Sequence, residues 1–203
     1  MRVTKKYDVR HKEILDAAEE LFVQTGYEKT TINNILDKVG IGKGTFYHYF
    51  TSKEEVVNAV INRVIQYIVE KTVRAFSTPD LNATEKMQLM MDAANISGSP
   101  HFPFLDSLGI PANALLHQKF AIRAIKDIAP IFANVVNQGI EEGVYTTKYP
   151  LETMEVIIAA NQIIFNGTIM HMSAKEQETR GAAFIHIMEV SLGAAKDSLS
   201  FLA

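Results

Sequence analysis

Apolar residues recur along this chain at the spacing expected of α-helices. In a first predicted helix, over residues 9–25, they fall at positions i, i+4, i+7 and i+8 and therefore share one face. The members of this stripe are Ile14, Ala18, Leu21 and Phe22. No part of the chain convincingly alternates apolar and polar residues at the period of a β-strand. The pattern therefore predicts an all-α protein.

Two short helices follow the first in close succession. Gly26 ends the first helix, and Thr31 can cap a second helix over residues 31–39. Gly40 permits a sharp reversal of the chain, after which a third helix is predicted over residues 42–49. Two short helices joined by a tight glycine turn are typical of the helix-turn-helix, whose second helix lies in the major groove of DNA.

A fourth predicted helix, over residues 52–75, is long enough to connect two parts of the protein. Ser52 and Glu55 have the spacing of a capping box at its start, and an apolar stripe continues along it. The predicted organisation is a helix-turn-helix domain over residues 1–52, a linking helix over residues 53–75, and a ligand-binding and dimerisation domain over residues 76–203.

The remainder of the chain carries further helix signals. Asn82 and Glu85 form another capping box, residues 97–103 are predicted to be a loop, and Gly143 is expected to end a helix. Three prolines suit first helical turns: Pro111, Pro130 and Pro150. The later helices are predicted over residues 111–127, 129–142, 150–172 and 176–200. The expected architecture is a three-helix N-terminal head and a larger C-terminal helical bundle, about nine helices in all.

Composition excludes several classes of protein. The 203 residues contain no cysteine, which excludes disulfide frameworks, thiolate zinc sites and cysteine nucleophiles. The charged N-terminus is unlike a signal peptide, and the apolar stretch over residues 154–172 contains polar residues that favour a buried helix over a membrane span. We expect a cytoplasmic protein without metal or cofactor. With a net charge of −3, any DNA binding must depend on where the charges lie.

Two residues near the third helix are unfavourable for a helix in water. Gly44 costs about 1 kcal/mol relative to alanine, which suggests close approach by DNA, unless it belongs to a loosely formed helix start. Lys53 lies in the first turn of the fourth helix, where the helix dipole disfavours a cation unless a phosphate binds there. The alternative is a solvated lysine. Phe46 and Phe50, four residues apart, would anchor the opposite face of the third helix in the core.

The same segment resembles the TetR family of bacterial transcriptional regulators. The matching residues, in order, are Ile35, Gly40, Lys43, Gly44, Thr45, Phe46, Tyr47, Tyr49, Phe50, Lys53 and Glu54. The resemblance is specific over about residues 10–60. It implies a homodimer on a palindromic operator in double-stranded DNA, because one recognition helix reads only a few base pairs.

The resemblance also implies which residues face DNA. They are Thr31, Asn33, Lys43, Gly44, Thr45, Tyr47, His48, Tyr49 and Lys53. We expect Tyr47, Tyr49 and Lys53 to hold phosphates. The residues expected near base edges are Lys43, Gly44, Thr45 and His48. One of the tyrosines could instead pack in the core.

For the C-terminal domain, the resemblance implies a dimer contact through the last two helices and a ligand cavity among the middle helices. Small residues in the last two helices would allow close approach, although they fit packing within one chain as well. The candidate cavity residues are Phe102, Phe104, His117, Phe120, Tyr145, Asn161, Phe165 and Asn166, and each could equally be an ordinary core residue. The expected effector is a small apolar or amphipathic molecule that favours a head spacing unsuited to the operator.

The expected function is that of a ligand-responsive repressor, and two other functions explain the sequence less well. A small all-helical enzyme lacks support, because the chain has no Glu-x-x-His pair, P-loop, His-Glu-x-x-His or Gly-x-Ser-x-Gly motif. A helical protein-interaction adapter without DNA binding explains the helices but not the pattern from Lys43 to Lys53. Activation of transcription remains an alternative to repression, because promoter geometry decides between them.

Overall fold

The computed structural model describes residues 2–95, 97–165 and 167–202, and all regular secondary structure in these residues is helical. The all-α prediction is therefore confirmed. The α-helices are α1 (Arg2–Thr25), α2 (Ile32–Val39), α3 (Lys43–Tyr47), α4 (Lys53–Phe76), α5 (Ala83–Ala94), α6 (Phe102–Ser107), α7 (Ala114–Glu141), α8 (Pro150–Ile164), α9 (Gly167–Met170) and α10 (Ala174–Leu192). Short 3-10 turns occupy Pro111–Asn113 and Ser200–Leu202.

The chain forms two compact units. The first contains Met1–Val64 and Ser99–Phe120, and the second contains Ile65–Gly98 and Ala121–Ala203. Helices α4 and α7 each contribute residues to both units. The segment Ser99–Phe120 therefore packs with the N-terminal helices, although it is distant from them in sequence.

The core of the first unit contains the apolar stripes that the sequence pattern indicated. Between the start of α1 and the residues just after α3, its buried residues include Ile14, Ala18, Phe22, Ile35, Leu36, Phe46 and Phe50. Helix α4 adds a row of buried valines and isoleucines, and the later segment adds Phe104, Leu108, Leu116 and Phe120. Burial of these side chains, rather than helix propensity, stabilises α2 and α3, which are too short to persist alone in water.

Helix α1 begins seven residues earlier than predicted, at Arg2. The prediction followed the apolar stripe, which starts further along the helix. In the structure the ring of Tyr7, in the additional turns, lies 4.6 Å from the ring of Tyr49, centroid to centroid. A contact with a distant residue therefore accompanies the extension, and periodicity alone could not reveal it.

The predicted helix boundary at Pro130 is wrong. Helix α7 passes through Pro130 without interruption. Proline removes one backbone hydrogen bond and costs about 3 kcal/mol in a helix interior. Pro130 is exposed to solvent, so water can bind the carbonyl group that loses its partner. Burial of Ile128, Ala129 and Phe132 on the opposite face continues across the proline and favours one continuous helix.

Other boundaries also differ from the prediction. Helix α3 ends at Tyr47 instead of residue 49, and Pro111 lies in a 3-10 turn before α7, which begins at Ala114. Helix α6 begins at Phe102, inside the predicted loop. Helix α8 ends at Ile164, well before residue 172. Helix α10 ends at Leu192 because Gly193 adopts a left-handed conformation, with φ 63°, and caps it.

The predicted helix caps are largely confirmed. Asn82 and Glu85 form a reciprocal capping box at the start of α5. Ser52 Oγ accepts a hydrogen bond from the Glu55 backbone N–H at 3.1 Å, as predicted. The returning hydrogen bond differs: the Glu55 carboxylate accepts from the N–H and hydroxyl of Thr51. Among the described residues, no helix combines enough length and apolar character to cross a membrane.

Candidate nucleic-acid interface

A tight glycine turn joins α2 to α3. Gly40 adopts a left-handed conformation with φ 72°, and its N–H donates to the Leu36 carbonyl at 2.8 Å. Gly42 then takes the N-cap position of α3. Phe46 on α3 and Phe50, three residues after its end, are both buried and fix one side of this segment in the core of the first unit. The opposite face must point outward.

The outward face of α3 carries the residues predicted to approach base edges. Lys43, Gly44, Thr45 and His48 are all exposed. Tyr47 is 54% exposed, which is unusual for a large aromatic side chain. A Cβ atom added to Gly44 would meet no other atom within 4 Å. No contact within the described protein therefore requires glycine at this position.

Some lysines of the first unit form ion pairs with acidic side chains of the described residues, and Lys43 does not. Lys38 pairs with Glu20 at 2.7 Å, and Lys12 pairs with Asp16 at 2.6 Å. In the described part of the chain, no acidic side chain forms an ion pair with Lys43. The net charge of the chain is negative, but the exposed face of α3 presents Lys43, which has no ion-pair partner among the described residues. An anion is therefore electrostatically acceptable at this surface.

Tyr49 differs from Tyr47 in its surroundings. It is half-buried in an aromatic cluster with Tyr7 and His48, whose ring centroids lie 4.6 Å and 5.2 Å from its own. His11 stacks on Phe50 at 4.9 Å and extends the cluster into the core. Tyr7 and His11 are not among the residues predicted to face DNA. Their only signal was their position four residues apart on α1.

The two predicted residues on α2 are placed differently. Thr31 is the N-cap: its Oγ1 accepts from the Asn34 N–H at 3.2 Å and donates to the Asn34 Oδ1 at 2.7 Å. Asn33 is exposed. The hydroxyl of Thr31 is thus engaged within the helix start, whereas the side chain of Asn33 faces solvent.

Lys53 contacts the turn between α1 and α2. Its Nζ donates to the carbonyl oxygens of Tyr27 and Thr30, each at 2.9 Å, and lies 4.1 Å from the centre of the Tyr27 ring. Partial burial lowers the pKa of the Lys53 ammonium, and the nearby Glu28 carboxylate acts in the opposite direction. Two carbonyl groups therefore offset the unfavourable position of this cation near the helix N-terminus. An ammonium group has three N–H donors, so one remains for a further acceptor.

Four of the candidate ligand residues lie in the first unit. Phe104 and Phe120 are buried, with ring centroids 6.4 Å apart. His117 is also buried, and its Nε2 has no hydrogen-bond partner among the described residues. Phe102 is largely exposed. The structure thus brings Phe104 and Phe120 together, and their burial is explained by core packing.

The other candidates lie in the second unit, except that Asn166 lies outside the described residues. Tyr145 is buried against Gly139, where a Cβ atom would lie 2.1 Å from its ring. This contact explains the glycine inside α7 and gives Tyr145 a packing role. Asn161 is exposed, and the ring of Phe165 lies 5.0 Å from that of Phe184. Within the described residues, no cluster of acidic and histidine side chains could hold a metal ion.

Helices α8 and α10 share an exposed apolar face. Val156 on α8 and Ile187 on α10 are 69% and 57% exposed, and Val190, three residues after Ile187 on α10, is 67% exposed. A groove of about 360 Å³ runs between the two helices. Its lining residues are Tyr149, Glu152, Thr153, Val156, Ile157, Ala160, Ile164, Phe184, Ile187 and Ser191.

The two parts of the chain match two related family models. Residues 14–60 match the model described as "Bacterial regulatory proteins, tetR family", and residues 104–187 match "Tetracyclin repressor-like, C-terminal domain". The first match covers the glycine turn and both of its flanking helices.

Individual relatives agree with these matches. The HTH-type transcriptional repressor KstR2 from Mycobacterium tuberculosis is 28% identical over 147 residues, which are 71% of this chain and 73% of the relative. The fatty acid metabolism regulator protein from Bacillus subtilis is 25% identical over 163 residues, 79% of each chain.

Solved structures show the same fold. SmeT, the repressor of the SmeDEF multidrug efflux pump of Stenotrophomonas maltophilia, superposes with a TM-score of 0.69 at 16% identity. The match covers 93% of this chain and 92% of SmeT. The TetR-family regulator PfmR from Thermus thermophilus superposes with a TM-score of 0.59 at 20% identity, covering 90% and 98%. With both family models matched, this chain belongs to the TetR family of DNA-binding transcriptional regulators.

Proposed function

We propose that the protein is a homodimeric repressor that leaves a palindromic operator when it binds a small apolar or amphipathic effector. The observation that carries the proposal is the outward face of α3, whose exposed polar residues include Lys43. The names of two relatives, KstR2 and SmeT, describe repressors and support repression over activation. The proposal includes no catalytic role. It implies a cytoplasmic location, because the operator DNA of a bacterial regulator lies in the cytoplasm.

In this proposal α3 enters the major groove of DNA. Lys43, Thr45 and His48 lie near base edges, where an ammonium can donate to guanine acceptors and a threonine methyl suits a thymine methyl. Gly44 allows the DNA to approach the helix backbone closely. Tyr47, Tyr49 and Lys53 contact phosphates that flank the bases, with Lys53 using its remaining N–H. Thr31 and Asn33 lie at the edge of the same surface on α2.

Dimerisation is proposed through the exposed face of α8 and α10. Apolar side chains as exposed as Val156 and Ile187, which line the same groove, are seldom left in contact with water. A second copy of the same face would cover them with two-fold symmetry, which matches the symmetry of a palindrome. Residues 1–52 would then bind DNA, and residues 76–203 would hold the dimer contact and the effector.

The experiment that tests this proposal is a footprint on DNA upstream of the protein's own coding region, with Tyr47→Ala as the informative variant. We expect the wild-type protein to protect an inverted repeat whose half-sites lie about one helical turn apart. Tyr47→Ala should lose protection while its unfolding transition is retained, because the side chain is exposed. Lys12→Ala, which removes an exposed lysine of α1, is the control and should protect as wild type does. Protection of no sequence by the wild-type protein would contradict the proposal.

A further inference from the structure

The turn between α1 and α2 is held by a side chain from far along the chain. Asn113 is fully buried and lies 86 residues after Tyr27. Its Oδ1 accepts a hydrogen bond from the Tyr27 N–H at 2.7 Å. Its Nδ2 donates to the carbonyl oxygens of Phe22 at 3.1 Å and Ser107 at 2.9 Å. One amide therefore satisfies three backbone groups and joins the turn to the segment that precedes α7.

The neighbouring residue reinforces this contact. Gly26 has φ 85°, and a Cβ atom placed on it would lie 2.4 Å from the Cβ of Ala112. The Glu28 N–H donates to the Ala112 carbonyl at 3.2 Å. The segment approaches the turn so closely that only glycine fits at position 26, both for its backbone conformation and for its size.

Lys53 binds two carbonyl groups of the same turn. The peptide groups of Tyr27 are therefore bound on both sides, the N–H by Asn113 and the carbonyl by Lys53. The second carbonyl that Lys53 binds belongs to Thr30, which directly precedes the N-cap of α2. The Gly40 turn joins α2 directly to α3. The position of the α1–α2 turn therefore determines where α2 and then the recognition helix α3 begin.

We infer that Asn113 is a positioning residue for DNA recognition, which orients α2 and α3 through its hydrogen bonds to the α1–α2 turn. The inference rests on the proposed function, because it assumes that α3 binds DNA. Asn113 directly precedes α7, and α7 continues into the second compact unit. The Asn113 side chain and the Ala112 backbone therefore join the turn at Tyr27 to the start of α7.

The test measures operator binding and local opening in Asn113→Ala. The substitution leaves the Tyr27 N–H without its partner, while the Phe22 and Ser107 carbonyl groups keep only the backbone N–H groups of Gly26 and Ile110. We expect binding to the footprinted duplex to weaken by about tenfold or more. The dependence of affinity on salt should keep the wild-type slope, because no cation is removed. In hydrogen exchange, the amides of residues 26–31 should lose protection, while those of α8 and α10 keep theirs.

A matched variant separates positioning from general destabilisation. Thr72 is fully buried in α4, within the second unit, and its hydroxyl donates to the Ile68 carbonyl at 3.0 Å. Thr72→Ala should lower the unfolding midpoint without weakening operator binding by the folded protein. If Asn113→Ala does not fold, Asn113→Ser is measured by the same criteria, since its hydroxyl can hold a water in place of the amide.

The outcomes distinguish this inference from the proposed function. If the wild-type protein binds no DNA, the proposed function fails. If the wild-type protein binds and folded Asn113→Ala binds equally well, the positioning role of Asn113 is overturned while the proposed function stands. The positioning role is also overturned if Thr72→Ala and Asn113→Ala lose the same stability and the same operator affinity. The loss of affinity would then follow from lower stability alone.

Discussion

The outward face of α3 and the shared face of α8 and α10 are both exposed, yet their chemistry is opposite. On α3, a helix of only five residues, and on its C-cap His48, polar groups face the solvent, including those of Lys43 and Tyr47. On α8 and α10, branched apolar residues such as Val156 and Val190 face it from helices of 15 and 19 residues.

The difference indicates two kinds of partner. A polar surface is stable in water and can gain and lose a charged partner such as DNA reversibly. An apolar surface is stable only when it is covered, which favours a lasting partner such as a second copy of the chain. Four experiments test this comparison.

Substitution of the apolar face should have the largest effect. Val190→Glu places a charge where the proposed dimer contact is dry, so the dimer should dissociate. Each head would then bind its half-site alone, and operator affinity should fall about a hundredfold or more. Sedimentation velocity and a DNA titration measure the two effects. The control is Ile122→Glu on α7, which also charges an exposed isoleucine and should leave the dimer intact. A Val190→Glu variant that stays dimeric would contradict the proposed interface.

Loss of the Lys43 cation on α3 should have the next largest effect. Lys43→Ala removes a donor to a base edge, which is worth about 1–3 kcal/mol of discrimination. Specificity should relax at one position in each half-site, as measured by titration of single-base operator variants. Lys12→Ala again serves as the control. Equal weakening on every variant would instead place Lys43 at a phosphate.

Lys53 tests whether one side chain serves both the protein and the DNA. Lys53→Gln should weaken operator binding moderately, and the log–log salt slope should fall by about 0.9 for each phosphate that residue 53 no longer neutralises. The measurement is a DNA titration at several salt concentrations. An unchanged slope with weaker binding would show that Lys53 acts only by holding the carbonyl groups of Tyr27 and Thr30.

The smallest effect is expected at the start of α2. Thr31→Ala removes the N-cap and should lower the free energy of unfolding by about 1 kcal/mol, as measured by chemical denaturation. Thr45→Ala is the matched control, because Thr45 is exposed on α3 and only its backbone carbonyl, which the substitution keeps, takes part in a helix cap. If both variants lose the same stability, the capping role of Thr31 is contradicted.

Local signals in the sequence predicted much of the first unit correctly. Thr31 caps α2, Gly40 adopts the left-handed conformation, and Phe46 and Phe50 anchor α3, as predicted. These features were predictable because their sequence signals lie within a few positions along the chain. The ligand candidates were less predictable. Aromatic residues look alike in sequence whether they line a cavity or fill a core, and Tyr145 packs on a glycine that no local pattern associates with it.

The amino-acid sequence by itself determined the helical class, most helix starts and the motif that faces outward, since periodicity, caps and glycine turns act over one or two helical turns. Only the tertiary structure decided that α7 continues through Pro130, that Lys53 binds the turn at Tyr27, and that Asn113 reaches the same residue from the opposite side. Each of these depends on burial or hydrogen bonds between residues far apart in the chain, and such contacts leave no pattern in the local sequence.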